Sequence, residues 1–285
     1  MRTRRWRTVP CMPALTDGTT LPDIGFGTYP LRGEEATSAV LSALEAGYRL
    51  IDSAVNYRNE DAVGRAIART DVPRDEIVVA TKIPGRDHGF DSTLASFDRS
   101  TDALGLEHID LYLIHWPNPR VDQYVDTWRA MVRLQEEGRV GSIGVSNFTP
   151  EYLTRVADAT GVMPALNQVE LHPFFPQVEL RAFHEQHGIV TEAWSPLGKA
   201  APVKESAPVA DAAAAHGVTP AQVILRWHQQ VGSLPIPKSG SPDRQRENLD
   251  LGGFTLTDEE VAAITALGRP DGRLFGGDPT THQEM

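Results

Sequence analysis

The strongest constraint in this 285-residue chain is a recurring one: short apolar or β-branched runs, each closing on a polar or small residue, return along almost its whole length. They fall at 24–27, 48–52, 77–82, 109–115, 141–146, 165–170, 189–194 and 233–238. Their apolar residues do not alternate strictly with polar ones, which suits strands of a parallel sheet buried on both faces. The run ends at 52, 82, 115, 145, 170 and 194 are about 24 to 33 residues apart, the span of one βα unit.

Helical patterns fill the intervals. Leu94, Phe97, Thr101 and Leu104 share one helix face, and Gly105 supplies a stop. Tyr124, Trp128, Met131 and Val132 repeat the spacing and end at Gly138. Thr149-Pro150-Glu151 reads as an N-cap, a first-turn proline and an acid favoured by the helix dipole. Thr219 to Gln222 and Thr257 to Glu260 have the spacing of capping boxes. Gly161, Gly188 and Gly217 read as helix stops. The longer interval from 194 to 238 has room for an extra helix near 208–216.

Eight strands alternating with helices predict an α/β fold of the closed (β/α)8 TIM-barrel class, formed as one domain over residues 1–285. A doubly wound open sheet is the alternative. It usually carries G-x-G-x-x-G after its first strand, and that motif is missing. Asp17-Gly18 predicts an N-terminal β-hairpin that caps the bottom of the barrel, and residues 1–8 read as a flexible tail.

Arg2, Arg4, Arg5 and Arg7 are followed by no apolar segment, so an export signal is not expected. No run approaches the ~20 apolar residues of a membrane span. A net charge of −11 argues against general nucleic-acid binding. The single cysteine, Cys11, leaves neither an internal disulfide nor a cysteine-rich metal cluster, and the expectation is a cytoplasmic protein. A monomer is expected.

In a barrel of this class the chemistry gathers at the carboxyl ends of the strands. Here those ends carry Asp52 with Tyr57 in the following loop, Lys82, His115, Ser146-Asn147, Gln168 and Lys238-Ser239. Each alone has an ordinary structural reading; what singles them out is that all would face one mouth. Reduction of a carbonyl needs a proton as hydride arrives, and an unperturbed tyrosine, with a pKa of about 10, is a weak acid for that work. A lysine ammonium would lower that pKa, a carboxylate would keep the lysine charged, and a neutral histidine could orient the carbonyl oxygen.

The segments GFGTY (25–29), LIDSAVNYRNE (50–60), VVATK (78–82), LYLIHWP (111–117), IGVSNF (143–148), NQVELHP (167–173), WSPLG (194–198) and IPKSGSPDRQREN (236–248) resemble the aldo-keto reductases, from about residue 15 to 268. The resemblance implies an NADPH-dependent oxidoreductase acting on small-molecule aldehydes and ketones, with no metal. It implies a catalytic set of Asp52, Tyr57, Lys82 and His115, with Tyr57 as general acid. Ser146, Asn147 and Gln168 would hold the nicotinamide carboxamide, and Trp194 would stack on the ring. Thr28, Asp52, Ser195, Leu197 and Gly198 would also line the cofactor. Lys238, Ser239 and Arg244 would surround a 2′-phosphate, which selects NADP(H), and Glu247 and Asn248 would contact adenine.

Tyr29 and Trp116 are the candidate pocket walls. Short loops after His115 and Trp194 suggest an open, permissive pocket. The tail after Gly268 follows no pattern, and Phe275 is its candidate lid residue. His172 reads as structural. Three other readings compete. A Schiff-base lyase would need Lys82 neutral, a non-catalytic nucleotide-binding module would not need the four-residue set, and a metal hydrolase would want paired histidines at strand ends.

Overall fold

The computed structural model describes residues 15, 18, 20–199 and 201–284. The tail 1–8, Cys11 and Asp17 of the expected hairpin turn lie outside the described residues. Eight strands follow one another in chain order around a single sheet: β1 (Phe26–Gly27), β2 (Leu50–Asp52), β3 (Val78–Ile83), β4 (Ile109–Ile114), β5 (Val140–Ser146), β6 (Leu166–Glu170), β7 (Val190–Trp194) and β8 (Ser233–Pro235). Every neighbouring pair is parallel.

The sheet closes on itself. The Gly25 N–H donates to the Pro235 carbonyl at 3.0 Å, and the Gly27 N–H to the Pro237 carbonyl at 3.2 Å. Proline has no N–H to return, so at these positions the bonds cross the seam in one direction only. A Cβ on residue 27 would lie 2.8 Å from the Ile236 carbonyl oxygen, so glycine is what lets the two edges meet. The expected (β/α)8 barrel is the observed fold.

Helices α1 (Gly33–Ala46), α2 (Glu60–Arg69), α3 (Phe90–Leu104), α4 (Tyr124–Glu136), α5 (Pro150–Thr160) and α6 (Val178–His187) connect successive strands. The long interval before β8 holds two helices, α7 (Ala207–His216) and α8 (Pro220–Gln230), so the extra helix is where the sequence leaves room for it. α9 (Pro242–Leu249) and α10 (Asp258–Thr265) follow β8. Thr149 caps α5, and Thr219 and Thr257 form capping boxes with Gln222 and Glu260. Each such cap stabilises a helix start by about 1 kcal/mol.

Several strands are shorter than their apolar runs. The Tyr48 N–H bonds back to the Ala43 carbonyl at the end of α1, so it cannot join β2. Pro237 cannot extend β8 by donating. Leu50, Val78, Ala80, Leu111, Leu113, Leu166, Val190, Leu234 and Ile236 fill the barrel interior, and Leu15 and Leu21 of the N-terminal segment pack with them. The intervening Ile51, Val79, Tyr112, Ile114, Ile143 and Val145 face the helices instead. The period of two is real but hidden in the sequence, because both faces are apolar. The inward series then ends at the mouth in polar groups: Leu50 leads to Asp52, Ala80 to Lys82, Leu113 to His115, Leu166 to Gln168 and Val190 to Glu192. Among the described residues no helix is long and apolar enough to cross a membrane.

Candidate functional site

Lys82 on β3 and Asp52 on β2 form a buried pair, their side chains 0% and 2% exposed. The Lys82 Nζ donates to Asp52 Oδ1 at 2.6 Å, to Oδ2 at 2.7 Å and to the Ser53 carbonyl at 2.8 Å. Burial alone would strip the lysine of its proton. Burial is the largest single influence, but the charge and hydrogen bonds of Asp52, with Tyr57 and Glu192, together outweigh it and hold the ammonium above the ordinary lysine range. Lys82 is thus a fixed cation, which removes the neutral amine that a Schiff-base lyase requires.

Tyr57 sits on the single helical turn Val55–Tyr57 that follows β2. Its Oη is 3.4 Å from Lys82 Nζ, and the His115 ring is 5.5 Å away, edge to face. The sequence reading has Lys82 lowering the pKa of Tyr57. Burial works the other way and is larger, and with Asp52 adding to it the phenol is pushed up to about 12 despite the pull of Lys82. Tyr57 is therefore a neutral O–H donor at physiological pH. The expected quartet of Asp52, Tyr57, Lys82 and His115 meets at one end of the barrel.

On the opposite wall, Gln168 Nε2 donates to Asp52 Oδ1 at 2.8 Å and to Glu192 Oε2 at 2.6 Å. Ser146 Oγ donates to the Gln168 carbonyl at 2.8 Å. Asn147, at a positive φ of 62°, donates to the His115 carbonyl and accepts from Trp194 Nε1 at 2.9 Å. These side chains line the wall facing Tyr57. Ser195 to Gly198 make a tight turn, closed by the Gly198 N–H on the Ser195 carbonyl at 2.9 Å. Leu197 is partly buried against the helix layer. The Thr28 hydroxyl is taken up inside the protein, donating to the Asp52 carbonyl and accepting from Asn59.

Lys238 and Arg244 are exposed, and among the described residues neither has a carboxylate partner. Arg246, by contrast, pairs with Asp243. Ser239 Oγ accepts from the Ser241 N–H, and Ser241 begins α9 without a side-chain cap. Two unpaired cations beside open helix N–H groups, in a chain of net charge −11, fit a phosphate ester. Glu247 accepts from Thr219, and Asn248 is buried near Tyr48. Among the described residues no group of three or more His, Cys, Asp or Glu is set to hold a metal.

The pocket is not open. The segment after Gly268 runs across the mouth: Phe275 lies 5.2 Å from Trp194, and His282 lies 4.2 Å from Trp116. A Cβ on residue 277 would meet the Trp116 ring at 2.6 Å. Glu284 is gripped at its backbone by Asn118, which donates to its carbonyl at 2.6 Å and accepts from its N–H at 2.8 Å. Its Oε1 accepts from Asn56 at 2.7 Å and lies 2.8 Å from His115 Nδ1. Burial favours the neutral form of Glu284, but His115, Asn56 and His282 outweigh it and hold the carboxyl below its usual range. Of the candidate walls, Trp116 is nearly buried under this segment, while Tyr29 is 56% exposed with its ring 5.1 Å from Tyr57. His172 is fully buried beside Glu170, a structural placement.

Sequence reasoning missed Glu192 and Glu284. Glu192 had one visible signal, its even spacing from Val190 and Trp194 in an otherwise apolar run; Glu284 had none.

The family model described as the aldo/keto reductase family matches residues 23–269. The 2,5-diketo-D-gluconic acid reductase B of Corynebacterium sp. (strain SHS752001) is 56% identical, over 95% of this chain and 98% of that protein. Among solved structures, a variant of Gox0644 in complex with NADPH has a TM-score of 0.90 and 46% identity, covering 95% of this chain and 98% of that one. An aldo/keto reductase from Brucella melitensis has a TM-score of 0.86 and 49% identity, over 91% of this chain and 100% of that one. The chain belongs to the aldo/keto reductase family.

Proposed function

We propose that this chain works as one barrel domain that reduces carbonyl compounds with NADPH, Tyr57 supplying the proton. The observation that carries the reading is the convergence of a neutral Tyr57 hydroxyl, a permanently charged Lys82 and the His115 ring at one mouth. When bound, the nicotinamide supplies hydride to the carbonyl carbon. Tyr57 Oη gives its proton to the carbonyl oxygen as the C–O double bond opens, which leaves an alcohol and a phenolate. Lys82 stabilises that phenolate across 3.4 Å, and Asp52 keeps Lys82 from losing its own proton instead. His115 orients the carbonyl oxygen toward Tyr57. Tyr57 then regains a proton from solvent.

Gln168, Ser146 and Asn147 have the donors and acceptors to hold a carboxamide, and Trp194 offers an aromatic face. Lys238, Ser239, Arg244 and the start of α9 suit the 2′-phosphate. On this reading the tail contacts at Trp116, Trp194 and His115 put Glu284 in the path of the substrate, which displaces it on the way to Tyr57. The name of the Corynebacterium relative suggests keto-sugar acids as the first substrates to try.

The test follows NADPH consumption with aldehydes, dicarbonyls and keto-sugar acids, using the parent and Tyr57→Phe. We expect turnover by the parent and a loss of at least about 100-fold in the variant, with NADPH affinity kept. Normal turnover by Tyr57→Phe would refute the acid assignment.

A further inference from the structure

Glu192 is a buried acid for which the chemistry above has no use. It stands on β7 directly across from Gln168 on β6, fully buried in the barrel interior. Gln168 Nε2 has two hydrogens and two close acceptors, Asp52 Oδ1 at 2.8 Å and Glu192 Oε2 at 2.6 Å. A primary amide with both N–H groups donated can offer a ligand nothing but its carbonyl oxygen. We infer that Glu192 is a positioning residue: with Asp52 it fixes the flip of the Gln168 amide, so that only the Gln168 oxygen is presented to the nicotinamide carboxamide.

Asp52 cannot do this alone. One of its oxygens serves both Lys82 and Gln168 and the other serves Lys82, so it engages a single Gln168 N–H. Without Glu192 the second N–H would be stranded in an apolar interior, or the amide would turn to find a partner. Fixed in this way, the site demands a donor from its ligand, the carboxamide N–H2, and discriminates against a carboxamide replacement that has none. Burial, then the nearby Asp52 charge, push the Glu192 carboxyl up to about 8, against Gln168 and Lys82. The shift favours its neutral form, which lessens the negative charge along the row from Tyr57 through Lys82, Asp52 and Gln168 to Glu192.

The inference rests on the reading of Gln168 as a carboxamide contact, and the experiment separates the two. Dissociation constants are measured by fluorescence for NADP+ and for its 3-acetylpyridine analogue, in which a methyl group replaces the carboxamide N–H2. The parent is expected to bind the analogue about tenfold more weakly. Glu192→Leu is expected to compress that preference to less than about threefold, and Glu192→Gln, which keeps an oxygen acceptor, is expected to retain it. Glu192→Met serves in place of the leucine variant if that protein fails to fold.

A Glu192→Leu protein with the parent's full preference overturns the inference, provided Gln168→Met has lost it. Equal loss in Glu192→Gln and Glu192→Leu also overturns it, because the acceptor would then not be what matters. Absence of any preference in the parent, with unchanged NADP+ binding by Gln168→Met, overturns the Gln168 reading and the inference with it.

Discussion

Replacing Asp52 by Asn keeps the shape of the buried pair and removes its negative charge. Lys82 is fully buried and both carboxylate oxygens lie within 2.7 Å of its ammonium, so the variant strands a charge in the barrel interior. Breaking such a pair costs about 3–5 kcal/mol near neutral pH. The pH dependence supplies a sharper check. In the parent, Lys82 has a raised folded-state pKa, so its contribution is complete below the unfolded value and lost only as pH rises through the folded one.

Without Asp52, burial dominates and the folded-state pKa falls below the unfolded value. The unfolded variant then binds more protons than the folded one through the window below about pH 10, and its stability rises with pH, by at most about 1.4 kcal/mol per unit. Glu192 moves the gap the same way. Its raised pKa makes the parent lose stability as pH rises toward about 8, and loss of the Asp52 charge weakens that effect in the variant. Urea unfolding followed by tryptophan fluorescence at pH 7 and pH 9 should show a large deficit that narrows at the higher pH. A deficit under about 1 kcal/mol at pH 7, or one that widens by pH 9, would sink the account of Lys82 as a cation held by Asp52.

Other perturbations separate the parts of the site. Arg244→Ala should weaken NADPH about tenfold and leave NADH nearly unchanged, by direct titration; equal losses for both would rule out contact with the 2′-phosphate. Glu284→Ala should lower the KM for a small aldehyde by about three- to tenfold with kcat and NADPH affinity unchanged, because substrate no longer displaces a carboxylate from Asn56 and His115. An unchanged KM would mean that the tail leaves the mouth without cost.

The barrel was legible because its strands and helices differ in period and its turns are marked by Thr-Pro caps and glycine stops. The mouth was legible because polar residues end apolar runs, as at Asp52, Lys82 and His115. Strand ends were less so: whether Tyr48 belongs to β2 depends on a backbone bond to Ala43, which no side-chain pattern announces. The acidity of Tyr57 was misjudged in sign, because a sequence shows a nearby lysine but not the burial that outweighs it. The tail was opaque for another reason. Its partners Asn56 and Asn118 are 228 and 166 positions away, and it has no periodicity of its own to place it.

The one-way seam has a consequence for how the barrel moves. Gly25 and Gly27 give their N–H groups to Pro235 and Pro237 and receive nothing back at those residues, so this joint is held by half the bonds of an ordinary parallel ladder. Such a joint parts at lower cost than one with a full ladder, and hydrogen exchange at these two glycine amides reports that parting. Lys238 leaves directly from the same edge. A dinucleotide anchored there would tighten the hoop as it bound, so that slower exchange at Gly25 and Gly27 would register occupancy of a phosphate site that neither residue touches.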